Sequence, residues 1–203
     1  MVDRVWYVAY GSNLNRRRFE RYLGGGRPVG GRRTYTGSRD SSPPLDDVAL
    51  MIRGSLYFAG ESRVWGGGMA FLDPDADGRV AARAYLLTVE QFSDVVAQEM
   101  RRPVGADLDL TPVLAYGRHS YGTGRYDTVV RVGHRAQRPM VTFTAAAPVV
   151  PRALPSRAYL DTIAAGIREA HGWQPARIRE YLQGCGTEIE PSVDDRHADR
   201  TGG

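Results

Sequence analysis

The chain has 203 residues, a length that suits one domain large enough to bury a hydrophobic core. Its 42% hydrophobic and 25% charged residues and its net charge of +4 are ordinary for a globular protein, and the single cysteine, Cys185, excludes an intrachain disulfide. No apolar run approaches the ~20 residues that span a bilayer, and no secretory signal is visible, so a cytoplasmic protein with no membrane partner is expected.

The first segment is predicted to be a strand that turns into a helix. Residues 5–10 are all apolar, which is typical of a strand buried on both faces. Gly11 permits a φ that other residues resist, and Ser12 and Asn13 are natural N-cap residues for a helix over Leu14–Leu23. Such a turn directs backbone amides into one small space, which suits an anion or a developing oxyanion, although an ordinary capped turn shows the same pattern.

Two arginine clusters raise the question of a nucleic-acid partner. Arg16–Arg18 form the first cluster and Arg32–Arg33 the second, and all 27 residues counted as lysine or arginine are arginine. However, 23 acidic residues are scattered among them, and no long basic stripe follows the chain. We therefore predict a solvated arginine-rich face and no nucleic-acid partner.

The middle of the chain is predicted to be rich in strands. Gly24–Gly26 end the first helix, Pro28–Arg39 is a candidate strand, and residues 41–47, which include two prolines, form a loop. Residues 73–78 imitate a calcium loop, but Ala84 stands where a bidentate glutamate is needed, so a hairpin turn is predicted instead. The remaining predicted strands are Ala49–Phe58, Met69–Leu72, Val80–Leu87, Leu114–Tyr121, Tyr126–Val132 and Met140–Ala147.

Three further helices are predicted from capping signals and spacing. Thr88 and Gln91 form a capping box for a helix that reaches Glu99, near its C-terminal end and at the border of its apolar face. A second helix runs from Pro155 to about Ala170, and a third covers Pro175–Gln183. Strands in the middle with helices between them predict an α+β fold with a curved or barrel-like mixed sheet.

Four segments, in order, resemble the gamma-glutamylcyclotransferase-like family. They are Tyr10–Leu14 after the first strand, Trp65–Gly68, the helix end at Gln98–Glu99, and Pro155–Leu160. The resemblance spans roughly residues 5–183. It implies a catalytic domain over residues 1–183 with a mixed, barrel-like sheet and flanking helices. The polar, Gly-containing composition of residues 184–203 predicts a flexible tail.

The resemblance also implies a reaction of the acyltransferase or lyase type that needs no metal and no cofactor. The free α-amine of a γ-glutamyl amide would attack its own γ-carbonyl, releasing 5-oxoproline and an amine. Glu99 would be the general acid/base, and its partly desolvated position is expected to raise its pKa. The implied substrate-binding residues are Tyr10, Gly11, Ser12, Asn13, Leu14, Trp65, Gly67, Gly68 and Tyr159.

Other interpretations remain open at this point. Glu99 also fits a surface residue beside Arg101, and Tyr159 fits a core aromatic residue. Met100 stands where the family usually has glycine, and Gly105 where it has tyrosine. Because of these differences, the resemblance does not identify the amine that the reaction would release. An amide hydrolase on the same site and a non-catalytic small-molecule binding module are the alternatives, and a homodimer is neither predicted nor excluded.

Overall fold

A computed structural model of the chain describes residues 2–27, 34–62 and 64–187. These residues form an α+β fold, as predicted. The strands are β1 (Arg4–Ala9), β2 (Asp46–Arg53), β3 (Ser55–Ala59), β4 (Met69–Asp73), β5 (Arg79–Thr88), β6 (Arg118–Ser120), β7 (Thr128–Arg135) and β8 (Arg138–Thr144). The helices are α1 (Arg16–Gly24), α2 (Val89–Glu99), α3 (Thr111–Tyr116), α4 (Arg157–His171) and α5 (Pro175–Gly184), with a 3-10 turn over Ser12–Leu14.

Six strands form one mixed sheet in the order β2-β5-β1-β8-β7-β6, and β3 and β4 pair separately. Strand β1 lies inside the sheet, antiparallel to β5 and parallel to β8. The two-stranded unit is joined to the large sheet through Thr144, whose hydroxyl donates to the Leu72 carbonyl at 2.7 Å and accepts from the Leu72 amide at 3.2 Å. The mixed sheet with flanking helices confirms the predicted fold class.

Strand β1 is buried on both faces because helices cover both sides of the sheet. Val5, Tyr7 and Ala9 belong to one core, and Trp6 and Val8 belong to the other. The alternation follows from the two-residue period of a strand. The main helical side chains are Phe19, Leu23, Phe92 and Val95 in the first core and Ile163, Ile167, Ile178 and Leu182 in the second.

The predicted strand Ala49–Phe58 is divided by Gly54 into β2 and β3, which pair in different sheets. Gly54 has φ +126°, and a Cβ there would lie 2.6 Å from the carbonyl oxygen of Asp73. A left-handed backbone in a tight space requires glycine. The apolar run therefore bends at Gly54, and the predicted single strand is wrong.

Two other predictions differ from the structure. The predicted strand Leu114–Tyr121 begins inside α3, which has a proline in its first turn and ends at Gly117 with φ +83°; only β6 follows as a strand. Residues 73–78 do not close a hairpin, because β4 pairs with β3 whereas β5 pairs with β1 and β2.

Two predicted segments lie partly outside the described residues. For Pro28–Arg39, residues 28–33 are outside, and Tyr35 forms an isolated antiparallel bridge with Gly26. For the predicted tail over residues 184–203, residues 188–203 are outside. The domain boundary at residue 183 therefore stays a prediction.

Candidate functional site

A cavity of about 640 Å³ opens beside the turn that follows β1. Its volume is in the range of small-molecule sites. Its wall includes the turn after β1, the C-terminal end of α2 and the first turn of α4. Seven residues predicted from the sequence line this cavity: Tyr10, Gly11, Ser12, Asn13, Trp65, Glu99 and Tyr159.

The turn after β1 is built differently from the prediction. Helix α1 begins at Arg16 rather than at Leu14, because the side chain of Asn15 caps it by accepting the Arg18 amide at 2.9 Å. Gly11 has an ordinary φ of −109°, so the turn does not use the φ range that only glycine permits. A Cβ on Gly11 would lie 3.2 Å from the hydroxyl of Tyr159. The glycine therefore provides space for that hydroxyl.

Three of the predicted substrate-binding residues do not line the cavity. Leu14 is fully buried in the core that α4 and α5 cover. A Cβ on Gly67 would lie 2.5 Å from the carbonyl oxygen of Leu154, and one on Gly68 would lie 2.1 Å from that of Ala153. These two glycines leave room for the backbone that precedes α4. The prediction was that they leave room for a substrate.

Glu99 ends α2, as predicted, and its half-buried carboxylate lies on the cavity wall. The hydroxyl of Tyr22 donates a hydrogen bond to Oε1 of Glu99. Burial, helped by the charge of Glu99, raises the pKa of Tyr22 well above its usual value, so this phenol stays a donor. Burial also raises the pKa values of Tyr7, Tyr10, Tyr126 and Tyr159, and the charge of Glu99 adds to this effect.

Tyr159 lies in the first turn of α4, which Ser156 caps. Its ring packs in the core and also stands 5.5 Å from the ring of Trp65, so both interpretations of this residue apply. Its hydroxyl accepts the Ala70 amide at 3.3 Å, and the Ser12 backbone also helps to lower its pKa. Burial has the larger effect and raises the pKa of Tyr159 to about 12, so the phenol keeps its proton at neutral pH.

Two other tyrosines are held to the backbone. The hydroxyl of Tyr10 donates to the carbonyl oxygen of Phe143 at 2.8 Å, and that of Tyr126 donates to the carbonyl oxygen of Ala70 at 2.7 Å. Because their hydroxyl protons are used in these hydrogen bonds, the two residues line the cavity with their aromatic rings and do not offer a donor to a ligand.

Asn13 lines the cavity and carries a buried polar atom that no described residue satisfies. Its Nδ2 donates to the hydroxyl of Tyr7 at 3.1 Å, and its backbone carbonyl accepts from the hydroxyl of Tyr85 at 2.8 Å. Its Oδ1 is buried and has no hydrogen-bond partner in the described part of the chain. A buried acceptor without a partner is unfavourable unless a ligand supplies a donor.

Arg18 also lines the cavity, and the sequence interpretation missed it. Only 8% of this residue is exposed, so the predicted solvated arginine-rich face is wrong at this position. The available signal was spacing: Arg18 shares the buried stripe of α1 with Phe19, Tyr22 and Leu23. Neighbouring Arg17, in contrast, is exposed.

Within residues 2–27, 34–62 and 64–187, no three His, Cys, Asp or Glu side chains are grouped so that they could hold a metal ion. The same residues include no helix with the length and apolar character needed to cross a membrane.

Comparisons with known proteins agree with this geometry at the level of the fold. A solved structure of a gamma-glutamyl cyclotransferase superposes with a TM-score of 0.55 and 15% identity, covering 98% of this chain and 100% of the other. An uncharacterized protein from Homo sapiens gives a TM-score of 0.53 and 17% identity, covering 94% and 92%.

A curated protein named histone deacetylase 5, from Arabidopsis thaliana, is 33% identical over 202 residues. The match covers 88% of this chain, which spans only 30% of that protein. No protein-family model matches the chain. The order of strands and helices, together with the two superposed structures, shows that the chain has the gamma-glutamyl cyclotransferase fold.

Proposed function

We propose that this protein is a cofactor-free γ-glutamyl cyclotransferase that converts a γ-glutamyl amide into 5-oxoproline and a free amine. The observation that carries the proposal is the position of Glu99. Its carboxylate lies on the wall of a cavity of about 640 Å³ that also holds Asn13, Arg18 and Tyr159. The fold similarity supports the same activity.

Glu99 would act first as a base and then as an acid. It removes a proton from the α-ammonium group of the substrate, and the amine nitrogen then forms a bond to the γ-carbonyl carbon while the C=O electron pair moves onto oxygen. The ring nitrogen of this intermediate carries a positive charge and two protons. When the intermediate collapses, the C=O bond re-forms, the C–N bond to the leaving amine breaks, and the leaving nitrogen takes the proton from Glu99. The ring nitrogen then passes its extra proton through the regenerated Glu99 carboxylate to the released amine, so the products are neutral lactam and an ammonium. The nucleophile is tethered to its electrophile, so proximity lowers the barrier without a covalent enzyme intermediate.

The neighbouring polar groups suit the remaining tasks. The unpartnered Oδ1 of Asn13 can accept an N–H of the substrate amine and orient its lone pair toward the carbonyl. The protonated hydroxyl of Tyr159, near the Ser12 backbone, can donate to the developing oxyanion. These roles need only hydrogen bonds from groups that the fold already holds in place.

The decisive experiment incubates the full chain with a panel of γ-glutamyl amides whose leaving amines differ in size and charge. Formation of 5-oxoproline with the free amine supports the proposal. Formation of glutamate would indicate a hydrolase, and binding without turnover would indicate a non-catalytic module. The panel must be broad because Met100, at which the family usually has glycine, also lines the cavity.

A further inference from the structure

We infer that Arg18 binds the α-carboxylate of the γ-glutamyl group and makes the protein selective for substrates that carry this carboxylate. The inference deepens the proposed function and rests on it for the identity of the substrate. It arises from the buried guanidinium of Arg18, which lines the cavity and has no carboxylate partner among the described residues.

The hydrogen bonds of Arg18 leave part of its guanidinium available. Its Nε donates to the hydroxyl of Ser12 at 3.3 Å, and one terminal nitrogen donates to the hydroxyl of Tyr35 at 2.5 Å. A guanidinium has five N–H donors. The other donors have no hydrogen-bond acceptor, and the group forms no ion pair, within the described residues.

Aromatic rings hold this guanidinium in place. Its central carbon lies 5.1 Å from the ring centroid of Tyr35, 5.1 Å from that of Trp65 and 5.8 Å from that of Tyr22. Contacts of this kind stabilise a cation and restrict its rotation. However, they do not replace a counter-ion, and a buried charge is unfavourable without one. A carboxylate that enters the cavity would supply it in the bidentate geometry that arginine favours.

Two of the charged groups that line the cavity, Glu99 and Arg18, match the α-ammonium and α-carboxylate of an amino acid. Glu99 is held by Tyr22 rather than by a salt bridge to Arg18, although its charge helps to raise the pKa of Arg18. A negative group and a positive group therefore stand on one wall without neutralising each other directly. The α-ammonium of a γ-glutamyl group suits Glu99 and Asn13, and the α-carboxylate on the same carbon suits Arg18.

A pair of substrates tests this assignment directly. A 4-aminobutanoyl amide with the same leaving amine lacks only the α-carboxylate and closes to 2-pyrrolidinone by the same ring formation. Wild type should prefer the γ-glutamyl amide by about 10- to 100-fold in kcat/KM, the effect of a charge-assisted hydrogen bond. Arg18→Met keeps most of the side-chain length but removes the charge, and it should bring this ratio close to one.

The matched control is Arg17→Met, which changes the exposed neighbour on the same helix and should keep the wild-type ratio. Arg18→Lys keeps the positive charge but loses the paired N–H donors of the guanidinium, which bind a carboxylate in bidentate geometry. It should therefore give an intermediate ratio. If Arg18→Met slows both substrates equally and the ratio stays at the wild-type value, the residue is only structural and the inference is overturned. Thermal unfolding of each variant shows whether it is folded.

Binding measurements separate this inference from the proposed reaction. Calorimetry should show that wild type binds 5-oxoproline more tightly than 2-pyrrolidinone, and that Arg18→Met or Arg18→Lys weakens this difference. If no amide is turned over but the difference depends on Arg18, the proposed reaction fails and the carboxylate site stands. If wild type binds the two lactams equally, the inference fails whatever the turnover and whether or not the variants fold.

Discussion

A tyrosine hydroxyl holds the carboxylate that the proposed reaction needs. Tyr22 donates directly to Glu99. Burial raises the pKa values of Tyr7, Tyr10, Tyr126 and Tyr159, and the charge of Glu99 adds to this effect. A protonated phenol can donate a hydrogen bond without adding charge, and such a bond favours the ionised form of the carboxylate that accepts it. In the proposed reaction this ionised form takes the proton from the substrate ammonium.

Replacing Glu99 by Gln removes the proton acceptor while keeping its size. The loss of a positioned general acid/base typically lowers a rate by about 10²–10⁴-fold, or roughly 3–5 kcal/mol of barrier, so 5-oxoproline formation should nearly cease. Glu90→Gln is the matched control, because Glu90 lies in the first turn of the same helix and is not among the residues that line the cavity. Its ion pair within the described part of the chain is with Arg39 at 3.4 Å. Equal rates for wild type and Glu99→Gln would refute the assigned role.

Tyr22→Phe removes one hydroxyl and little volume. A hydrogen bond donated to a carboxylate favours its ionised form, so without this donor Glu99 should be protonated at higher pH. The acid limb of the pH–rate profile of kcat/KM should therefore move to higher pH. An unchanged profile with a lower rate would mean that Tyr22 acts only through packing.

At the scale of elements, α4 fixes the turn that forms one wall of the cavity. Gly166 lies in the middle of α4, and a Cβ there would stand 2.4 Å from the backbone nitrogen of Asn15 and 2.6 Å from the carbonyl carbon of Leu14. The helix therefore touches the backbone of the turn directly. Because α4 also carries Tyr159, this contact helps to set the distance between Tyr159 and the turn.

Gly166→Ala should force α4 and the turn apart. Overpacking of this kind costs about 1–3 kcal/mol of unfolding free energy, and 5-oxoproline formation should fall because the turn residues move away from Tyr159. Denaturant unfolding measures the first effect and a turnover assay the second. Gly184→Ala is the control: Gly184 ends α5, a Cβ there meets nothing within 4 Å, and alanine is the better helix former. If Gly166→Ala had the wild-type free energy of unfolding, a Cβ at this position would not force α4 away from the turn.

At the scale of the whole molecule, His171 links α4 to the central sheet. Its Nε2 lies 3.0 Å from the carbonyl oxygen of Ala82, and burial lowers its pKa below 6.5. The unfolded chain therefore binds a proton more readily than the folded chain does. This contribution to stability is complete above the unfolded pKa and decreases as the pH falls below about 6.5.

His171→Gln keeps an N–H donor for the Ala82 carbonyl and removes the titration. The free energy of unfolding should then fall less steeply between about pH 7 and pH 5 than it does in wild type. Carboxylates such as Asp40 titrate in a lower window, because their pKa is already below 3.8 in the folded state. His134→Gln, at an exposed position of β7, should retain the wild-type slope. An identical slope for His171→Gln would exclude this role.

Much of the fold could be predicted because its signals are local. The apolar run of β1, the capping box of Thr88 and Gln91, and the end of α2 at Glu99 each depend on residues a few positions apart. The start of α4 at Pro155 and Ser156 is of the same kind. The errors occurred where a distant contact competes with a local pattern, as at Gly54, where the Asp73 carbonyl requires a bend in an apolar run.

The sequence by itself determined the order of most strands and helices, the two-faced burial of β1, and the motif residues Tyr10–Asn13, Glu99 and Tyr159. Only the tertiary structure decided that these residues line one cavity, that Arg18 is buried among aromatic rings, and that Gly67 and Gly68 face backbone rather than ligand. The physical reason is the range of the interactions. Caps and periodicity act over a few residues, whereas burial and cavity shape depend on side chains brought together from opposite ends of the chain.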